Sequence, residues 1–164
     1  MTESVNDALR MDEDTQKGKF LIFPLGKEDY AIEIKCITEI IGIQPITQVP
    51  ELPVYVKGII NLRGKIIPVM DVRLRFRMPP TEYNDRTCII VIEEKDLSVG
   101  LIVDNVSEVL TVADQDIVPP PEIKKDVDNR YVQAIIKVDE AVKLILDCER
   151  LISDKDMDTI NQSL

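Results

Sequence analysis

An apolar hairpin between Gly58 and Asp71 is the feature that most constrains how this chain folds. Two apolar runs flank the pair Arg63-Gly64, and a glycine at that point accepts a positive φ without a Cβ clash, so the chain can reverse there. Pro68 has no N–H to donate, which predicts that its strand lies at a sheet edge or contains a bulge. Asp71 follows the second run and is predicted to cap a short helix. Because so apolar a hairpin is unstable alone, other strands must cover it.

Similar short apolar runs, rich in Ile and Val and separated by turn residues, continue along the chain and predict an all-β barrel or sandwich. The further strands are expected at 19–25, 30–34, 88–92, 97–104, 106–112, 131–138 and 141–147. One exception is expected, because Ile34, Ile37, Ile40 and Ile41 recur at helical spacing and predict a helical turn or two ending near Gly42.

The remaining segments set the predicted domain organisation. Residues 1–18 are charged and predict a mobile tail, 19–152 form one domain of two subdomains, and 153–164 continue a C-terminal helix or tail. The composition break at 79–87 is the expected crossover between the subdomains. A long loop is expected at 113–129 around a triple proline.

Composition excludes several classes of function. The chain contains no His, which removes the commonest general base and the commonest zinc ligand together. Its formal net charge of -10 disfavours binding to nucleic acid. The six glycines form no phosphate-binding loop. We therefore expect a protein that is not an enzyme and has no catalytic residue, metal or cofactor.

The cysteines and the N-terminus predict a cytoplasmic protein. Three scattered cysteines without a paired spacing are typical of reduced thiols. The polar N-terminus does not resemble a signal peptide, and no apolar run reaches the length of a membrane span.

The central hairpin also carries a family resemblance. Asn61-Leu62-Arg63-Gly64 and the run from Pro68 to Arg73 resemble the signature of the CheW family of bacterial chemotaxis coupling proteins, and the resemblance extends over 19–152. It implies two five-stranded, SH3-like β-barrels packed side by side. It also implies an adaptor that joins the coiled-coil tips of chemoreceptors to the regulatory domain of the histidine kinase CheA, recruited to membrane-associated receptor arrays.

From the residues alone, Arg63 is read as a solvated charge at a turn. The resemblance instead places it at the receptor contact, paired with Glu39 at the mouth of a groove between the barrels. Ile37, Ile66, Val106 and Val109 are core residues by periodicity, but the resemblance implies that they line this groove. The receptor-binding residues that it implies are Ile37, Glu39, Gly58, Asn61, Arg63, Gly64, Ile66, Cys88, Gly100, Val106 and Val109. It assigns no CheA-contact residues.

Two alternatives remain at this point. The first alternative to the adaptor is the coupling domain of a larger CheV- or CheA-type protein. The second, from a different class, is an enzyme that uses only carboxylates and a cysteine. Asp71, Asp104 and Asp147 each end an apolar strand, and we expect them to cap turns or helices rather than to act as catalytic carboxylates. A deep pocket with converging carboxylates favours the enzyme, and a shallow apolar groove favours the adaptor.

Overall fold

The computed structural model describes residues 17–120 and 131–152. The predictions for residues 1–16, for the centre of the proline-rich loop and for residues 153–164 lie outside the described residues. Within the described part, strands dominate and the helices are short.

Nine of the eleven described strands overlap segments that were predicted as strands, and the exceptions are β3 and β9. They are β1 (Lys19–Leu25), β2 (Glu28–Glu33), β3 (Ile37–Gly42), β4 (Val56–Leu62), β5 (Lys65–Asp71), β6 (Cys88–Glu94), β7 (Leu97–Val103), β8 (Glu108–Thr111), β9 (Ile117–Val118), β10 (Val132–Val138) and β11 (Ala141–Leu146). The helices are α1 (Val72–Arg75) and α2 (Cys148–Ile152), with 3₁₀ turns at Ile34–Cys36 and Asp114–Asp116.

These strands form two sheets that are interleaved along the chain. A six-stranded sheet has the order β8-β1-β2-β11-β10-β9, and a five-stranded sheet has the order β3-β6-β7-β5-β4. Most neighbours are antiparallel, but β11 pairs with β2 and β5 pairs with β7 in parallel. The predicted class, all-β with two SH3-like barrels, is confirmed, although the six-stranded sheet has one strand more than expected.

Each sheet contributes side chains to an apolar cluster on both of its faces, which explains the continuous apolar runs. Successive side chains of a strand point to opposite faces, so Leu21 and Phe23 of β1 pack into a core shared by the two sheets, whereas Ile22 packs into a second cluster. In the same way Ile90 of β6 faces the shared core and Ile89 faces a third cluster. The shared core therefore holds the two sheets together.

The outer edge of β4 is covered by the segment that follows β3. Thr47 exchanges two backbone hydrogen bonds of 2.9 Å with Ile59. The approach is so close that a Cβ on Gly58 would lie 2.0 Å from the Thr47 carbonyl oxygen, and Gly58 has a φ of 146°. This position therefore requires glycine, and the five-stranded sheet has no bare edge along this part of β4.

The helical prediction for Ile34 to Gly42 was wrong. Only the 3₁₀ turn Ile34–Cys36 is helical, and Ile37–Gly42 is strand β3. Its pairing with β6 shifts register between Ile37 and Glu39. That bulge places Ile37 and Ile40 in the same shared core, so an irregular strand imitates the three-residue spacing of a helix.

The predicted crossover at 79–87 was also wrong. This segment joins β5 to β6, which belong to the same five-stranded sheet. Among the described strands, the chain passes between the sheets after β2 and after β7 instead. A break in composition marks an irregular connection, but it does not show which strands the connection joins.

Pro68 lies in an interior strand, contrary to the prediction of an edge or a bulge. It faces Ile59 of β4, whose N–H and carbonyl both bond to Thr47 on the side away from Pro68. Ile59 and Pro68 are therefore a directly opposed pair of the type that exchanges no backbone hydrogen bonds. The missing N–H of Pro68 costs the pairing with β4 no hydrogen bond. On its other side, the pairing of β5 with β7 begins one residue later, at Val69.

Candidate functional site

The β4–β5 turn is a rigid two-residue reversal. Arg63 and Gly64 have φ values of 52° and 88°, and two successive positive values are typical of a type I′ turn, whose twist matches the flanking strands. The Asn61 Oδ1 atom accepts a hydrogen bond of 2.8 Å from the Gly64 N–H. The turn therefore holds the start of the Arg63 side chain in one direction.

Arg63 forms a two-point ion pair with Glu39 of β3. Its Nη1 and Nη2 atoms donate to Glu39 Oε1 and Oε2 over 2.9 and 2.8 Å. These hydrogen bonds and the negative charge of Glu39 raise the pKa of Arg63 further above its usual range. The predicted pairing is confirmed. Because β3 is an outer strand of the five-stranded sheet and the turn joins β4 and β5 at its other side, the pair links the tip of the hairpin to the opposite outer strand.

The pair leaves part of the guanidinium available. Glu39 binds the edge of the guanidinium that carries the two Nη atoms. Arg63 Nε forms no hydrogen bond with any residue that the structure describes. The Arg63 side chain is 72% exposed and that of Glu39 is 24% exposed. A planar guanidinium has five N–H donors, so a second carboxylate or amide can bind at the Nε edge without displacing Glu39.

The predicted receptor-binding residues divide into three groups. Glu39, Asn61, Arg63, Gly64 and Ile66 belong to the turn or its ion pair, and Ile66 is 43% exposed.

The second group belongs to the shared core. Ile37 and Val106 are buried in it, and Cys88 and Val109 pack against it while only partly buried.

Two glycines form the third group and have packing roles. Gly58 permits the approach of Thr47, and a Cβ on buried Gly100 would lie 2.7 Å from Ile89 Cγ2 and 2.8 Å from Val69 Cγ1. These positions exclude larger residues, and neither glycine offers an exposed contact.

A cluster at the ends of β5 and β7, here the strand-end cluster, was missed from the sequence. Its members are Asp71, Arg73, Tyr83 and Asp104. Arg73 donates to Asp104 through Nε and Nη2, at 2.6–2.9 Å. Tyr83 donates from its hydroxyl to Asp71 Oδ2 over 2.6 Å, and burial, followed by this bond, raises the pKa of Tyr83.

Two of the three predicted aspartate caps are confirmed. Asp71 Oδ1 accepts from the Leu74 N–H over 3.2 Å, and Asp147 Oδ1 accepts from the Arg150 N–H over 3.1 Å. The prediction for Asp104 was wrong, because its carboxylate binds Arg73. The only sequence signal for this pair was the position of Asp104 at the end of an apolar strand, which does not identify the partner.

Two surface cavities have no residue of the β4–β5 turn in their lining. One of about 410 Å³ is lined by polar groups that include Glu82, Arg86 and Asp104, and one of about 510 Å³ includes Lys35, Cys36 and Glu94. Across residues 17–120 and 131–152, no three His, Cys, Asp or Glu side chains are grouped as a metal-binding set. Nor does this part of the chain contain a helix long and apolar enough to cross a bilayer.

Fold and site together define a β-barrel scaffold, which presents an arginine on a rigid turn. Residues 19–156 match the family model described as the CheW-like domain. The chain therefore belongs to the CheW-like family of non-enzymatic chemotaxis scaffold proteins.

Individual relatives agree with this assignment. The chain is 35% identical to the chemotaxis protein CheW of Klebsiella aerogenes over 144 residues, which cover 88% of this chain and 87% of the relative. It is 36% identical to CheW of Bacillus subtilis over 135 residues, or 82% and 86% of the two chains. The solved structure of the scaffolding protein TtCheW from Thermoanaerobacter tengcongensis superposes with a TM-score of 0.78 at 35% identity, covering 85% of this chain and 94% of that one.

Proposed function

We propose that this protein couples the cytoplasmic coiled-coil tips of chemoreceptors to the histidine kinase CheA and transmits the receptor state to kinase activity. Family membership supports the class of function. The observation that carries the receptor half of the proposal is the exposed Arg63 guanidinium, bound on one edge by Glu39 and open on the other.

Arg63 is proposed to bind a carboxylate or side-chain amide on the receptor tip through its Nε edge. Glu39 already holds the guanidinium, and the type I′ turn fixes its base. Less conformational entropy is therefore lost on binding than for a free arginine side chain. The charge-assisted hydrogen bonds supply orientation and specificity.

The apolar part of the proposed receptor surface has two components. Ile66 is exposed beside the turn and contributes an apolar contact directly. Cys88 and Val109 are partly buried at the border of the shared core, where a groove would admit an apolar side chain of a receptor helix. Ile37 and Val106 support that border from within, and the residues that contact CheA stay unassigned.

As an adaptor, the protein acts through geometry and effective concentration. Holding a receptor tip and the regulatory domain of CheA at the same time makes their encounter intramolecular. Receptor conformation then alters kinase activity only through differences in binding between states. The proposed location is the cytoplasm, at membrane-associated receptor arrays.

The decisive experiment reverses the charge of Arg63. We expect Arg63→Glu to weaken binding to a receptor cytoplasmic fragment by roughly 10-fold or more, because a carboxylate then faces the partner's carboxylate or amide oxygen and Glu39 repels it. Isothermal titration calorimetry or a pull-down measures the loss. Binding to CheA and the melting temperature are expected to stay close to those of the unmodified protein.

Lys27→Glu is the matched control. It makes the same charge change at an exposed turn of the six-stranded sheet, so it tests for a general effect of net charge. Receptor binding that survives Arg63→Glu, or that falls equally in Lys27→Glu, would remove Arg63 from the receptor site.

A further inference from the structure

Two tyrosines occupy equivalent places in the two sheets. Tyr55 lies directly before β4 and Tyr131 directly before β10. In each case the tyrosine carbonyl accepts a hydrogen bond from the N–H of the aspartate at the far end of the hairpin that follows, from Asp71 over 2.7 Å and from Asp147 over 2.6 Å. Both tyrosines are buried in the shared core. Each sheet therefore contributes one tyrosine, held in the same way, to the core between the barrels.

The guanidinium of Arg75 lies between these two tyrosines. Its Cζ atom is 4.5 Å from the centre of the Tyr55 ring and 4.7 Å from the centre of the Tyr131 ring, and its Nη2 atom donates to the Tyr131 hydroxyl. Arg75 ends α1 and is 8% exposed. Because a cation within about 6 Å of an aromatic ring is attracted to its face, one buried charge binds a residue from each sheet.

The two halves of the chain differ at this position. Arg75 is the fourth residue after Asp71, whereas the fourth residue after Asp147 is Leu151. Leu151 is fully buried in the same shared core. A single guanidinium therefore serves both tyrosines, and the second helix contributes an apolar side chain in its place.

The residue after Arg75 extends the contact between the sheets. The Phe76 ring lies 5.5 Å from the Tyr30 ring of β2 and 6.1 Å from the Tyr131 ring, measured between ring centres. Aromatic rings attract one another at such separations. The end of α1, which follows β5 of the five-stranded sheet, therefore packs against aromatic residues of the six-stranded sheet.

Apolar packing and the contacts of Arg75 specify different things. Burial of apolar surface is not directional, so the shared core favours contact between the barrels without selecting one angle between them. A planar guanidinium that faces two rings and donates to one hydroxyl keeps all these contacts only over a narrow range of angles. A buried charge of this kind adds little to stability, and its use in some proteins is to specify one arrangement.

We propose that Arg75 is a positioning residue, which holds the two barrels in one relative orientation. Its consequence for binding rests on the proposed function. The proposed receptor surface takes Arg63 and Cys88 from the five-stranded sheet and Val109 from the six-stranded sheet, so its shape depends on the angle between the barrels. Arg75 thus controls receptor binding from within the core, without touching the receptor.

The test replaces Arg75 with methionine, which removes the charge and the hydrogen bond but keeps a long buried side chain. Residual dipolar couplings of backbone N–H groups report the angle between the barrels in solution. One alignment should describe both sheets in the unmodified protein, and Arg75→Met should require a separate alignment for each sheet. We expect affinity for a receptor cytoplasmic fragment, measured by calorimetry, to fall roughly 3–10-fold. The melting temperature should fall by no more than about 3 °C.

Arg73→Ala is the matched control. It removes the other arginine of α1, whose partner Asp104 follows β7 of the same five-stranded sheet. This variant should lower the melting temperature and leave the dipolar couplings and receptor affinity unchanged. If Arg75→Met does not fold, Tyr131→Phe decides, because it removes only the hydroxyl and should loosen the orientation to a smaller degree.

One common alignment for both sheets in the Arg75→Met or Tyr131→Phe variant, or equal loosening in Arg73→Ala, would overturn the positioning role. A changed orientation with unchanged receptor affinity would overturn its consequence for binding. If the unmodified protein does not bind the receptor fragment, the proposed function fails, whereas the dipolar couplings still decide the role of Arg75.

Discussion

The Arg63–Glu39 and Arg73–Asp104 pairs have the same chemistry in opposite surroundings. Each arginine donates from two nitrogens to one carboxylate at 2.6–2.9 Å. Arg63 is 72% exposed, whereas Arg73 is 16% exposed. Solvent weakens the first pair and leaves its guanidinium reachable, but it screens the second pair much less. The comparison shows that the hairpin tip is suited to recognition and the strand-end cluster to stability.

The strand-end cluster has further support that the hairpin tip lacks. Asp71 is buried and serves two partners, the N–H of Leu74 and the hydroxyl of Tyr83. Tyr83 belongs to the irregular connection between β5 and β6, so this hydrogen bond fastens that connection to the end of β5. Substitutions here should reduce stability, whereas substitutions at Arg63 should change binding.

The largest effect on stability is expected from Asp71→Ala. It removes the cap of α1 and leaves the Tyr83 hydroxyl without its acceptor, at a cost of about 2–4 kcal/mol in the free energy of unfolding. Urea denaturation measures the change. Asp147→Ala, which removes the less buried cap of α2 and an ion pair with the exposed Arg150 side chain, should cost about 1 kcal/mol. Equal losses in the two variants would contradict the role of Tyr83.

A smaller loss is expected from Arg73→Ala. The variant leaves Asp104 without its partner, but water can reach a carboxylate that is 34% exposed, so we expect a cost of about 1–2 kcal/mol. That corresponds to a fall in melting temperature of roughly 2–8 °C. Arg63→Ala serves as the comparison and should melt like the unmodified protein. If the melting temperature fell further in Arg63→Ala than in Arg73→Ala, the exposed pair rather than the buried pair would be the one that stabilises the fold.

The smallest change in stability is expected when the two charges of the exposed Arg63–Glu39 pair are swapped between the two positions. Glu39→Arg combined with Arg63→Glu restores an ion pair between the same positions, so the melting temperature should not change. Receptor binding should stay weak, because the group offered to the partner is now a carboxylate. If the exchange restores binding measured by calorimetry, the pair acts only as a fastening between β3 and the turn. The single variant Glu39→Arg provides the control.

Local chemistry made the central hairpin predictable. Its two apolar runs and Arg63-Gly64 are contiguous, and the cap at Asp71 needs only its own helix. The all-β class followed from the number of such runs along the chain. The pairing of Arg63 with Glu39 was expected only through the family resemblance, because 24 residues separate the two.

Irregular and distant features were not predictable in this way. The bulge in β3 disrupts the alternation that identifies a strand, so the spacing of Ile37 and Ile40 favoured a helix. The two residues of β9 are too few to show a period. The sequence carries no local signal for the Arg73–Asp104 pair or for the points where the chain passes from one sheet to the other. Both depend on which strands become neighbours in the fold.

The parallel pairing of β2 with β11 has a consequence for biosynthesis. Asp29 and Lys143, which form an ion pair across these strands, are 114 residues apart. On the ribosome β1 and β2 emerge first, yet their outer neighbours β8 and β11 emerge late. The strands of the other sheet, β3 to β7, are made in one uninterrupted block. Nascent chains should therefore complete that sheet first, while the two earliest strands wait for their partners.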